Sequence, residues 1–144
     1  MQTREMKREY EVAVLDPAGN VTAIVLSDVL AAERARIAAQ LLRLPELRIE
    51  QAAFLTAPRC GGEIRLEMMG GEFCGNASRA YGYLLAKQQG LKGRHTMRLS
   101  VSGCDHPVAV TVDMDAGTAS AEMPLPKLVE QVEVAGTAGT LVHL

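Results

Sequence analysis

The stretch "GGEFCGNASRAYGYLLAKQQG", residues 70–90, decides how the rest of the chain must be arranged. From Ala77 to Gln89 the apolar positions Ala77, Ala80, Tyr81, Leu84 and Leu85 fall at helical spacing, and Tyr83 and Ala86 carry apolar character round the back before Gly90 ends the run. A helix that is apolar on most of its circumference is predicted to be buried on most sides.

The sequence on both sides supplies the strands to bury it. "EYEVAVLD" and "VTAIVLS" are β-rich runs separated by "PAGN", whose Pro17, Gly19 and Asn20 favour a turn, so residues 10–27 read as a hairpin with Asn20 at or just after its tip. A second helix is predicted through "VLAAERARIAAQLLRL", capped by Ser27 or Asp28, with Leu30, Ile37 and Leu41 on one stripe and Pro45 as its stop. "IEQAAFLTA" reads as a strand, and in "GEIRLEMMG" Ile64, Leu66 and Met68 alternate against Arg65 and Glu67. After the buried helix the alternation returns in Met97, Leu99 and Val101, in Val108, Val110 and Val112, and in "TASAEM", joined by the turn-like "SGCDHP" and "DMDAG". Short antiparallel strands around one apolar helix give an α+β domain with a curved, mostly antiparallel sheet wrapped around a central helix and one further helix outside. The C-terminal "VEVAGTAGTLVHL" is strand-like with no closing turn or polar tail, as if cut.

Composition narrows the function classes. The 144 residues, 15 Lys and Arg against 17 Asp and Glu, and a net charge of −2 fit one domain, residues 1–144, with no charge bias toward nucleic acid or membrane. "MQTREMKREY" lacks the apolar core of a signal peptide and no run approaches the roughly 20 apolar residues of a membrane span, so a cytoplasmic protein is expected. Cys60, Cys74 and Cys104 are odd in number and widely spaced, which supports neither a disulfide framework nor a zinc ribbon.

Cys74 stands directly before Gly-Asn at the start of the central helix. Unpaired N–H groups and the helix dipole favour a thiolate there, and the thiolate is the reactive form of cysteine. Gly75 permits a tight turn and close approach of a ligand, while Asn76 is a good N-cap and offers an amide to a carboxylate. A thiolate beside an anion cradle suits removal of a proton from the α-carbon of an amino acid whose carboxylate the helix end holds. The plainer reading is a buried cysteine acting as a small hydrophobe before a capped helix.

Hydrolytic use of Cys74 would need a histidine base, and His95, His106 and His143 have no diagnostic spacing. Cys104 and His106 in "CDH" are too few for a metal site, so no metal is expected, and Cys60 reads as an incidental thiol. By position alone Asn20 is a turn residue, Gln51 a solvent-facing or edge-strand polar group, and Arg79 a surface charge.

At "EFCGNASRA" the sequence resembles the diaminopimelate epimerase family, racemases and epimerases that need no pyridoxal phosphate. Cys74, Gly75, Asn76 and Arg79 match its motif; Ala77 stands where glycine is usual and Ala80 where a second cysteine is usual. "PAGNVTAIVL", "IEQAAFLTA", "GGEFCGNAS", "VSGCD" and "AEMPLP" are most similar to the branch containing the histidine racemase of staphylopine-type metallophore synthesis. The resemblance implies a barrel-like sheet about a central helix, no cofactor, a small amino-acid substrate such as histidine or diaminopimelate, Asn20 and Gln51 in contact with it, Gly75 and Asn76 binding its carboxylate, and Cys74 as one of two catalytic cysteines.

The family carries its second cysteine in a second domain, and nothing here after residue 125 supplies one. The chain is therefore expected to be the N-terminal half of a longer enzyme and inactive alone; a separate partner chain or a homodimer of this chain are the other ways to complete the site. The alternatives in function are a non-catalytic carboxylate-binding or interaction domain of the same fold, and an isomerase acting on a carboxylate that is not an amino acid.

Overall fold

The computed structural model describes residues 8–56 and 64–143. Cys60 lies outside them. Seven strands, β1 (Val12–Leu15), β2 (Thr22–Val25), β3 (Gln51–Thr56), β4 (Arg65–Met68), β5 (Arg94–Val101), β6 (Val108–Asp113) and β7 (Thr118–Ala121), form one sheet in sequence order. Helix α1 (Ala31–Leu41) joins β2 to β3, and α2 (Gly75–Gln88) joins β4 to β5. These two pairs run parallel, because a helical crossover returns the chain in the same direction, and the other four neighbouring pairs are antiparallel.

The two crossovers set the layers. β2 and β4 run in opposite directions while the sheet grows in the same lateral sense, so crossovers of one hand put their helices on opposite faces. Side chains confirm it: Ile24 and Ala53 pack with Ala77 and Tyr81 of α2, whereas their neighbours Val25, Ala52 and Phe54 pack with Ile37 and Ala38 of α1. Covered on both faces, β2 is buried at every position. That explains why "TAIV" is a continuous apolar run and not an alternation.

Helix α2 touches β2, β4, β5, β6 and β7. Five strand spacings make about 24 Å, twice the width of a helix, so the sheet has to curl to keep both ends in contact. Val108, Val110 and Val112 of β6 and Leu99 and Val101 of β5 line the concave side. Gly82 lets the helix come close to the sheet: a Cβ there would stand 2.5 Å from Val110 Cγ1. The expected barrel, however, does not form. Among the described residues β1 and β7 pair with no further strand, and the sheet is curved but open.

Three local expectations change. Helix α1 begins after Leu30 with no side-chain cap, because the Ser27 hydroxyl accepts the N–H of Glu11 at 2.7 Å instead. Ile64 is 51% exposed just before β4, while Leu66 and Met68 are buried as the alternation requires. The single C-terminal strand-like run is two strands, a hairpin of β8 (Leu128–Val134) and β9 (Thr137–His143) turned at Ala135 and Gly136, both with positive φ, as a separate two-stranded sheet.

Candidate functional site

The chain enters α2 extended at Cys74, with φ −135° and ψ 111°, so Cys74 and not Asn76 is the N-cap. Its Sγ accepts the N–H of Ala77 at 3.4 Å, and its carbonyl accepts from the N–H and the hydroxyl of Ser78 at 2.9 and 2.8 Å. The N–H groups of Gly75 and Asn76, in the first turn, have no acceptor among the described residues. These are the two donors an anion would take.

Gly75 is an ordinary helical residue and makes no special turn. What its missing side chain leaves room for is Met123, whose Sδ would stand 2.9 Å from a Cβ there, with Phe73 beside it. The lead-in to the helix is held by Ser102, buried to 2% exposure, which donates to Glu72 O at 2.6 Å and accepts the Met68 N–H at 2.9 Å.

Asn20, Gln51, Cys74 and Asn76 converge. Asn76 Nδ2 donates to Asn20 Oδ1 at 3.1 Å, Gln51 Nε2 donates to the same oxygen at 2.8 Å and to Thr22 Oγ1 at 2.7 Å, and the Cys74 thiol donates to Gln51 Oε1 at 3.4 Å. The register explains the meeting: Thr22 and Gln51 are direct partners at the starts of two parallel strands, and α2 lies over that end. Asn20 sits there because Asp16 Oδ1 accepts the Gly19 N–H, with Ala18 at φ 60° and Gly19 at φ 92° bending the loop back.

Sequence reasoning passed over two members of this cluster. Thr22 is fully buried and gives its own proton to Asn20 O at 3.0 Å; Glu50 Oε2 accepts from Asn20 Nδ2 at 2.9 Å. A threonine two residues after Asn20 and a glutamate directly before Gln51 were the available signals. Arg79 is no surface charge: it is half-buried and its Nη2 donates to Pro17 O at 3.0 Å.

The other candidates lie elsewhere. His95 is bonded to Lys92 O, His106 to Asp105 and His143 to Glu130. Among the described residues no three His, Cys, Asp or Glu side chains are grouped as a metal site. Cys104, a free thiol like Cys74, lines an open cleft of about 650 Å³ with Arg65, Glu122 and Met123, and burial first, then the Asp105 carboxylate, pushes its pKa up. No helix of the described residues is long and apolar enough to cross a membrane.

A curled sheet round a helix whose N-cap is a thiol, with two open N–H groups and three amide side chains around it, defines a small α+β domain. The chain belongs to the histidine racemase CntK N-terminal domain family, whose model matches residues 11–143. It is 34% identical over 108 residues to the histidine racemase of Staphylococcus aureus strain Mu50, which is 74% of this chain and 39% of that protein. With histidine racemases of two Fusobacterium nucleatum strains it shares 29% over 124 residues (83% of this chain, 45% of that protein) and 30% over 135 residues (88% and 49%). The chain thus spans less than half the length of the curated relatives it matches.

Proposed function

We propose that this chain is the first domain, residues 1–144, of a cofactor-independent amino-acid racemase with a diaminopimelate epimerase-like fold, acting on histidine. The observation that carries the reading is Cys74 Sγ at the N-cap of α2 beside the unpaired N–H groups of Gly75 and Asn76. Family membership and the names of the relatives support the racemase assignment and the substrate.

The substrate carboxylate takes the two N–H groups, with the Asn20, Gln51 and Asn76 amides around it. That places the α-carbon over Cys74. As thiolate, Cys74 removes the α-proton, and the electron pair delocalises into the carboxylate that the helix end holds, where fixed donors meet the developing charge. A thiol on the opposite face then returns a proton to the α-carbon, inverting it; in the reverse direction the two groups exchange roles. Cys104 is not that second thiol, since the cleft it lines does not include Cys74. It comes from sequence beyond this chain, consistent with relatives more than twice the matched length. The domain alone is inactive or nearly so.

The test is α-proton exchange of L-histidine, diaminopimelate and a panel of L-amino acids in D₂O, followed by NMR, with this chain and with the longer protein, each as wild type and Cys74→Ser. Exchange in the longer protein that vanishes with Cys74→Ser is expected. Exchange indifferent to Cys74, or none with any amino acid, refutes the reading and leaves a carboxylate-binding domain.

A further inference from the structure

The hydrogen bonds around Cys74 have a direction, and one carboxylate fixes it. Glu50 Oε2 can only accept, so the atom of Asn20 that faces it at 2.9 Å is the NH₂ group. Asn20 Oδ1 is therefore turned inward, where it accepts from Gln51 Nε2 at 2.8 Å and from Asn76 Nδ2 at 3.1 Å. Thr22 has given its proton to Asn20 O, so its Oγ1 takes the second hydrogen of Gln51 Nε2 at 2.7 Å. Both hydrogens of the Gln51 amide are then used. Its oxygen is what faces Cys74 at 3.4 Å, and a bond between them requires the sulfur to carry a proton. Arg79 is bonded to Pro17 and Arg65 of β4 to Glu67, and Cys104 is the other thiol packed on this core.

We infer that Glu50 is a positioning residue which, through Asn20 and Gln51, holds Cys74 as the proton-bearing thiol while the site is free of substrate. A ligand carboxylate that takes over the Asn20 and Asn76 amides breaks the chain and lets the Gln51 amide turn over, so that it donates to the sulfur. Occupancy and activation of the thiol are thereby linked. This rests on Cys74 being the proton-transfer group.

Replacing Glu50 by Gln gives Asn20 a donor to face. The amides of Asn20, Gln51 and Asn76 can then reverse together, so that Asn20 Nδ2 donates to Gln51 Oε1 and Asn76 Oδ1, Thr22 donates to Gln51, and Gln51 Nε2–H supports a thiolate. The test is iodoacetamide alkylation at one pH, resolved by peptide mass spectrometry, with Cys104 as internal reference. Glu50→Gln is expected to raise the Cys74 rate about five-fold, the factor one ordinary hydrogen bond sets, with Cys104 unchanged. Glu50→Asp, which keeps the carboxylate, restores the wild-type rate, and Gln51→Glu slows Cys74. An unchanged Cys74 rate in Glu50→Gln, or the same increase in Glu50→Asp, overturns the inference. Because no substrate is present, that failure is distinct from a loss of Cys74 dependence in α-proton exchange, which would overturn the racemase reading and with it the link between occupancy and proton transfer.

Discussion

Arg79 Nη2 donates to the carbonyl oxygen of Pro17 at 3.0 Å, tying the second turn of α2 to the loop that carries Asn20. The same helix presents Cys74 and Asn76, so this bond sets the distance between the two sides of the site. Arg79→Ala removes a hydrogen bond to a charged group and is expected to cost about 1.5–3 kcal/mol in urea unfolding. Under the proposed function, the same substitution in the longer protein is expected to raise KM for histidine more than it lowers kcat, because the Asn76 amide is displaced while Cys74 keeps its own N-cap geometry. An equal loss in both, with no change in stability, would contradict this role.

Gly82→Ala tests a close contact between helix and sheet. Alanine normally gains about 1 kcal/mol over glycine in a helix, but here the new methyl meets Val110, fully buried on β6, and Leu99. Overpacking of about 1–3 kcal/mol outweighs the propensity, and net destabilisation in thermal or urea unfolding is the expected result. A stabilised variant would show that the sheet yields at Val110.

Ser102→Ala leaves the Met68 N–H and the Glu72 carbonyl without the partner they share. Unpaired buried groups cost about 1–3 kcal/mol, and the loosened segment leads directly into Cys74. Lower stability together with faster amide exchange at residues 72–75 is expected; unchanged exchange there would mean that the lead-in is held by the helix alone.

Cys104 provides a pH prediction. Burial, and secondly the Asp105 carboxylate, raise its pKa, so the folded state favours the thiol, and the stability this contributes is complete below the unfolded cysteine value and lost as pH rises through the folded one. Cys104 is expected to be alkylated more slowly than a cysteine in an unfolded peptide at pH 8, with Asp105→Asn moving its rate profile to lower pH. A profile that does not move would leave burial and the Glu122 carboxylate as the causes.

The β8–β9 hairpin exposes Leu128, Val129, Leu141 and Val142 at 44–53%, with Val129 and Val142 directly paired. Apolar surface of this kind is normally covered. Isolated, this chain is expected to self-associate in sedimentation runs at rising concentration, and Val129→Asp with Val142→Lys to return it to monomer. Monomer at every concentration would refute that.

Only the Cys74 end of the candidate site is legible in local sequence, because Cys-Gly-Asn sits at a helix start and a helix start has unpaired donors wherever it occurs; by position Asn20 and Gln51 read as a turn residue and an edge polar group. Which residue caps the helix is not legible there: Asn76 is the better N-cap by type, yet the chain turns helical one residue after Cys74, and the thiol takes the cap while Asn76 reaches Asn20. Ser27 likewise lost its capping role to a backbone N–H from residue 11, just before β1.

The sequence by itself determined the elements and their apolar faces, because the periods of 3.6 and 2 are local properties of the backbone, and it determined that the helix from Gly75 would be the buried one. Only the tertiary structure decided that two strand pairs run parallel, that the sheet stays open at β1 and β7, and that Asn20, Thr22, Glu50, Gln51 and Asn76 share one directed network ending at Cys74. Pairing partners and hydrogen-bond direction depend on groups up to 56 residues apart, and no local period encodes which distant group arrives with a donor and which with an acceptor.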